Sequence, residues 1–238
     1  MPLTILSIAY PFAPVGPEAV GGAEQVLSML DRALVAHGHR SIVVAAAGSS
    51  VAGTLCRLPE IRGDVETWRE PTYRAARAAI SSVLARERVD LVHMHGIDFP
   101  ALLPNTSRPV LVTLHLPPAW YDARSLRPSS PAIRLHAVSA SQHAACPPGP
   151  WLLPPIRNGV AVSALGGARH GTRRFALCLG RICPEKGQHL AIAATRAAGM
   201  PLLIGGTVFP YAAHRAYFAQ EIAPHLGARV RYLGPLGF

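Results

Sequence analysis

Short apolar runs alternate with helical repeats along most of the chain. Leu3 to Ala9 is a short, mainly apolar run, and it reads as a strand buried on both faces, since no regular polar alternation interrupts it. The prolines and glycine between Tyr10 and Pro17 exclude a helix or a central strand there. Gly21-Gly22 then opens a helical pattern in which Val26, Leu27, Leu30, Ala33 and Leu34 recur at spacings of three and four. His37-Gly38-His39 closes it, with Gly38 as the C-cap glycine. Ser41 to Ala47 is again a buried strand. A strand, a helix and a second strand in this order form a parallel crossover unit.

The same alternation continues. Tyr73 to Arg88 predicts a helix, Val89 to Met94 a strand, Pro109 to Leu114 another, and Leu135 to Val138 a short one followed by Ser139 as an N-cap. Residues 144–171 are rich in Pro, Gly and Ala and read as the connection to a second domain. A new crossover series follows: strand 175–179, helix 187–198, strand 201–205, helix 211–225 and strand 229–233. The expected fold class is α/β, with two Rossmann-like doubly wound domains, and the short buried strands of the first imply a parallel sheet covered on both faces. The first is expected over 1–165, and the second over 172–238 as a first half only, βαβαβ.

Composition narrows the function. Half of the 238 residues are hydrophobic and 15% are charged, which is globular rather than disordered. The net charge of +10 suits nucleic acid, an anionic membrane surface or phosphorylated ligands. No run of basic residues exceeds Arg173-Arg174, and no basic stretch is interleaved with aromatics, so a nucleic-acid module is not expected. The four cysteines, Cys56, Cys146, Cys178 and Cys183, form no C-x-x-C pair and read as free thiols in a reducing cytosol. The first basic residue is Arg32, a poor fit to a signal peptide, and no apolar run reaches the roughly 20 residues of a membrane span. A cytoplasmic location is therefore expected.

Lysine occurs once, at Lys186, against twenty-two arginines. It stands in Leu179-Gly180-Arg181-Ile182-Cys183-Pro184-Glu185-Lys186-Gly187, between a strand and a helix start. A helix start presents free N–H groups, Arg forks two oxygens, and Lys supplies a compact charge, so the turn reads as a phosphate site. His115 ends a strand, at the carboxyl edge where open α/β sheets bind ligands. His93 and His95 share a strand face. With no third ligand at a useful spacing, a metal is not expected there. His37 and His39 suit the negative end of a helix.

Taken together, Gly21-Gly22-Ala23-Glu24, Ala36-His37-Gly38-His39, Asp90 to His95, Val112-Thr113-Leu114-His115, Val138-Ser139, Asn158-Gly159-Val160, Leu179-Gly180-Arg181 and Glu185-Lys186-Gly187 resemble a retaining glycosyltransferase of the two-domain GT-B type, family 4. The resemblance covers essentially the whole chain and rests on the order and spacing of these motifs. It implies transfer of a sugar from a nucleotide-sugar to a sugar, lipid or small-molecule acceptor, with retention at the anomeric carbon. It also implies a donor held between the domains, mainly by the second, with no metal or other cofactor. By this resemblance Arg181 and Lys186 bind the diphosphate. Gly21 and Gly22 let backbone N–H groups approach the donor phosphate or the acceptor, and His115 is the catalytic-site histidine that donates a hydrogen bond to the transferred sugar. For several of these residues a structural role stays open. Gly21 and Gly22 also suit an ordinary helix entry, Glu24 the N–H groups of the first turn, and Asn158 a plain Asn-Gly turn.

Members of the family carry a Glu-x7-Glu region after the third strand of the second domain. Glu221 is the last acidic residue of this chain. On this ground the 238 residues read as a fragment, expected to be inactive alone and to self-associate through an open second domain. Two other readings stand beside sugar transfer: a non-catalytic remnant acting as a binding module, and a sugar-nucleotide epimerase of the same fold. Peripheral contact with a membrane is compatible with the charge.

Overall fold

The computed structural model describes residues 1–60, 65–160, 162, 171 and 174–236. The expected domain limits at 165 and 172 and most of the connection between them lie outside the described residues. Contacts divide the chain into two compact units, 1–160 and 161–238.

The first unit holds six strands: β1 (Thr4–Ile8), β2 (Arg40–Ala45), β3 (Thr54–Arg57), β4 (Leu91–Met94), β5 (Val110–Leu114) and β6 (Ile133–Ala137). All pair in parallel, in the order β3-β2-β1-β4-β5-β6. The order reverses between β1 and β4, which makes the carboxyl ends of these strands the switch point where doubly wound sheets bind ligands. Helices α1 (Gly22–Ala36), α2 (Val65–Arg86) and α3 (Phe99–Leu102) lie between strands, and α4 (Ala140–Ala145) follows β6.

Side chains alternate across this sheet. Leu6, Ile8, Ile42, Val44, Val92, Met94, Val112, Leu114 and Leu135 face one side and form the main core with Tyr73, Ala76 and Ile80 of α2. On the other side Ala9, Val43 and Ala45 pack with Leu27 of α1. Both faces are covered, which explains why the strands read as apolar runs.

α2 begins well before the expected Tyr73 and carries Pro71 within it. The loss of one donor and the clash of the ring are offset by burial of Val65, Thr72 and Tyr73 and by the Glu66–Arg69 pair. β3 has no apolar run, only the half-buried Leu55 and Cys56. Asp31, buried on α1, fixes the approach to it by accepting hydrogen bonds from Ala52 N and Gly53 N at 2.5 and 3.2 Å.

The second unit is a three-stranded parallel sheet of β7 (Ala176–Leu179), β8 (Leu202–Gly205) and β9 (Val230–Gly234), linked by α5 (Gln188–Ala197) and α6 (Ala212–Tyr217). This is the βαβαβ series expected. The helix expected over 211–225 changes winding instead: α6 is followed by a π turn, Phe218–Ile222, and a 3-10 turn, Ala223–His225. Pro224, which has no N–H to donate, sits at the start of the 3-10 turn, where an unpaired N–H is not needed. Ile182, Ile192, Leu202, Ile204, Tyr217 and Ile222 form the core against one face of the sheet. The other face is open: Leu177 is 51% exposed and Leu179 60%.

Candidate functional site

Four histidines collect on the face of the first sheet opposite its main core. His93 and His95 come from β4 and its end, His115 follows β5, and His136 belongs to β6. Strand register places Thr113 beside His136, and period-two alternation puts His93 and His95, and Thr113 and His115, on the same face. His93 Nε2 lies 2.7 Å from Thr113 Oγ1, which lies 2.7 Å from His136 Nε2. His95 Nδ1 lies 3.0 Å from His115 Nε2.

Burial keeps these rings neutral. It pushes His93 down to about 3, helped by the neighbouring His136 and His115, and His115 down to about 4, helped by His136. It lowers His95 and His136 as well. The tautomers follow from the partners. His136 Nδ1 faces the Ala137 carbonyl at 3.2 Å. A carbonyl only accepts, so the proton of neutral His136 sits on Nδ1. Its Nε2 must then accept from the Thr113 hydroxyl, and Thr113 Oγ1 in turn accepts from His93 Nε2–H. Thus one backbone carbonyl orders three side chains across three strands.

His95 is 3% exposed and its Nε2 has no hydrogen-bond partner. A buried N–H without an acceptor is costlier than an idle lone pair. The proton therefore belongs on His95 Nδ1, donated to His115 Nε2, which leaves the proton of neutral His115 on Nδ1. This makes His115 a hydrogen-bond donor at its other nitrogen. The backbone of His115 is held on both sides: Gln142 Nε2 donates to the carbonyls of Leu114 and Leu116 at 2.9 and 2.6 Å. Gln142 Oε1 accepts from Val138 N at 2.8 Å, and Ser139 caps α4 by accepting from Gln142 N. The expected cap thus also positions the residue that holds the His115 backbone.

Gly21 is the N-cap of α1, with an extended backbone. A Cβ there would collide with the Glu24 carboxylate, which folds back over the helix start and is buried. Next to Gly22 the corresponding space is open. After β4, the Asp98 carboxylate fills the space a Cβ would need at Gly96, and burial pushes its pKa up to about 6.

In the second unit β7 runs into Gly180 and Arg181, then a 3-10 turn, Pro184–Lys186. Gly187 stands at φ 66°, a left-handed conformation suited to glycine, and starts α5. Gly206, after β8, has φ 146°, and a Cβ there would collide with the Gly180 carbonyl. Two glycine backbones therefore approach closely at the carboxyl ends of β7 and β8. Buried Gln188 donates to the Arg181 carbonyl at 2.7 Å, and the Arg181 guanidinium lies over the Phe209 ring, 5.7 Å from its centroid. Lys186 is exposed at the turn.

Arg181 and Lys186 thus share one turn before a helix, and His115 lies on a carboxyl edge beside His95. Gly21 and Gly22 open α1. Sequence reading did not find the Thr113–His136 link, Gln142 or Asp98. Only the register of β5 and β6 reveals the first, and Gln142 carried no signal beyond its place three residues after an N-cap serine.

A family profile described as Glycosyltransferase Family 4 matches residues 20–147. No curated protein sequence matches the chain. Among solved structures the chain is similar to AviGT4, a glycosyltransferase involved in avilamycin A biosynthesis, with a TM-score of 0.63 and 22% identity over 100% of this chain. It spans 65% of the length of that protein. It is also similar to the α,α-trehalose 6-phosphate synthase from Burkholderia multivorans, with a TM-score of 0.60 and 14% identity, over 99% of this chain and 74% of that one. A third likeness is the lipopolysaccharide outer core galactosyltransferase WaaB, with a TM-score of 0.51 and 13% identity, over 98% and 68%.

Proposed function

The chain belongs to glycosyltransferase family 4, and from that membership we propose that it serves transfer of a sugar from a nucleotide-sugar to an acceptor hydroxyl, with retention at the anomeric carbon. The observation that carries this reading is the family match over 20–147, the stretch holding His95, His115 and Gln142. In this reading the first unit serves the acceptor and the transferred sugar. Neutral His115 donates from Nδ1 to a sugar hydroxyl, and His95 keeps its tautomer. In the second unit Arg181 and Lys186, with the start of α5, take the charge that develops on the leaving diphosphate. Fixed cations and N–H donors aimed at developing charge act without reorganisation. We further propose that Gly21 and Gly22 open the entry to α1 so that a substrate oxygen can approach it.

For the 238-residue polypeptide we propose diphosphate binding without choice of base, because Arg181 and Lys186 address phosphate oxygens. Titration of the 238-residue protein with uridine, guanosine and adenosine diphosphates by calorimetry tests this. Binding of all three, weakened in Lys186→Ala and Arg181→Ala, supports it. Binding of none, or binding unaffected by both substitutions, contradicts it.

A further inference from the structure

The turn that carries Arg181 and Lys186 holds a second cluster that the proposed sugar transfer does not use. Among the described residues, one group of three side chains brings metal-ligand atoms together: Cys183, Glu185 and His214, with one such atom from each within 4.8 Å of the other two. We propose that Cys183, Glu185 and His214 bind one zinc ion, which ties the cationic turn after β7 to helix α6.

The donor set is a thiol, an imidazole and a carboxylate. Thiolate and imidazole together favour zinc over magnesium or calcium, which take oxygen ligands. At a tetrahedral zinc the Zn–S bond is about 2.3 Å and the Zn–N and Zn–O bonds are about 2.0–2.2 Å, which puts ligand atoms about 3.3–3.6 Å apart. Closure from 4.8 Å needs only small side-chain movement, and exposed Glu185, in the 3-10 turn, already accepts from the Cys183 thiol. Three protein ligands leave a fourth position for water.

The other two ligands are fixed from outside. Cys183 is 1% exposed, and its Sγ lies 3.7 Å from the Arg181 carbonyl. The His214 ring stacks on Phe209 and meets Tyr211 edge-on, with centroids 6.3 and 5.1 Å apart. The buried His214 Nδ1 has no hydrogen-bond partner, an orphan that a metal would satisfy. Burial raises the Cys183 thiol, so a proton must leave when the ion binds. Thiolate and carboxylate then balance the two charges of the ion, which lets it sit beside the Arg181 guanidinium.

Zinc uptake stands on these residues alone, so its outcome is independent of whether the protein transfers sugar. The test uses the 238-residue protein made without a polyhistidine tag, stripped with a chelator and titrated with zinc against a chromogenic competitor. About one zinc per chain is expected. Cys183→Ser and His214→Gln should each weaken binding at least by the roughly 10–100-fold that loss of an outer-shell partner costs. Cys56→Ser, in the first unit, should leave affinity unchanged. Cobalt loading should give tetrahedral visible bands and a thiolate charge-transfer band that Cys183→Ser abolishes. Circular dichroism shows whether each variant is folded, and the cobalt band of the unaltered protein tests the thiolate without any substitution. No stoichiometric zinc, equal affinity in folded Cys183→Ser and His214→Gln, or cobalt without the thiolate band overturns the site.

Discussion

At the scale of the residue, the histidine row makes the sharpest demands. Thr113 Oγ1 serves His93 and His136 at once, both at 2.7 Å. Thr113→Val removes the hydroxyl at nearly constant shape and leaves two buried ring nitrogens without a partner, so urea unfolding should show a loss of about 1–3 kcal/mol per orphaned group. A loss below that of an ordinary surface substitution would show that the relay is not formed. His115 makes a different demand. His115→Ala, assayed in a polypeptide competent for sugar transfer, should lower kcat far more than it lowers stability, because its ring lies at the edge of the sheet and not in the core. Loss of stability with unchanged specific activity would mark His115 as a structural histidine.

At the scale of the element, much of the fold was legible because strands buried on both faces have no polar alternation to hide. β1, β2, β4 and β5 read directly from their apolar runs. β3 did not, since it carries two half-buried apolar residues and is anchored by Asp31 on a distant helix. Arg181 and Lys186 were legible as a strand–turn–helix spelling. His214 was not connected to them, because α6 brings it to Cys183 only through the fold. Gly206 belongs to the same level. A Cβ there would strike the Gly180 backbone, and φ of 146° already disfavours other residues. Gly206→Ala should shift the turn that carries Arg181 and weaken diphosphate binding, as read by calorimetry, with the thermal transition of the first unit unchanged. Equal affinity in that variant would show that the close approach is incidental to the turn.

At the scale of the molecule, pH and coverage separate the two units. The folded pKa values of His93, about 3, and His115, about 4, lie below the unfolded value near 6.5. The unfolded chain therefore binds more protons in that window, and stability falls as pH drops from about 6.5 toward 4 and 3, by up to about 1.4 kcal/mol per pH unit for each ring. Asp98, raised to about 6, acts in the opposite sense between its unfolded value and 6, but it is one group against several imidazoles. Urea midpoints of the first unit should thus decrease on acidification from pH 7 to 4. A flat or rising profile would mean that the rings are not held neutral. The second unit leaves Leu177 and Leu179 on an open sheet face. Its amides should exchange faster than those of β1, β4 and β5, which are covered on both sides. Equal protection would mean that the open face is covered in solution.

The proposed diphosphate site of this family 4 glycosyltransferase chain is the turn between β7 and α5. Its most direct test is the calorimetric titration of the 238-residue protein with uridine diphosphate, repeated with Lys186→Ala. The account predicts saturable binding of the diphosphate, much weaker binding of uridine without phosphates, and a loss in Lys186→Ala of about 1.5–3 kcal/mol, as for a hydrogen bond to a charged group. Equal affinity for uridine and its diphosphate, or undiminished binding in Lys186→Ala, would contradict it.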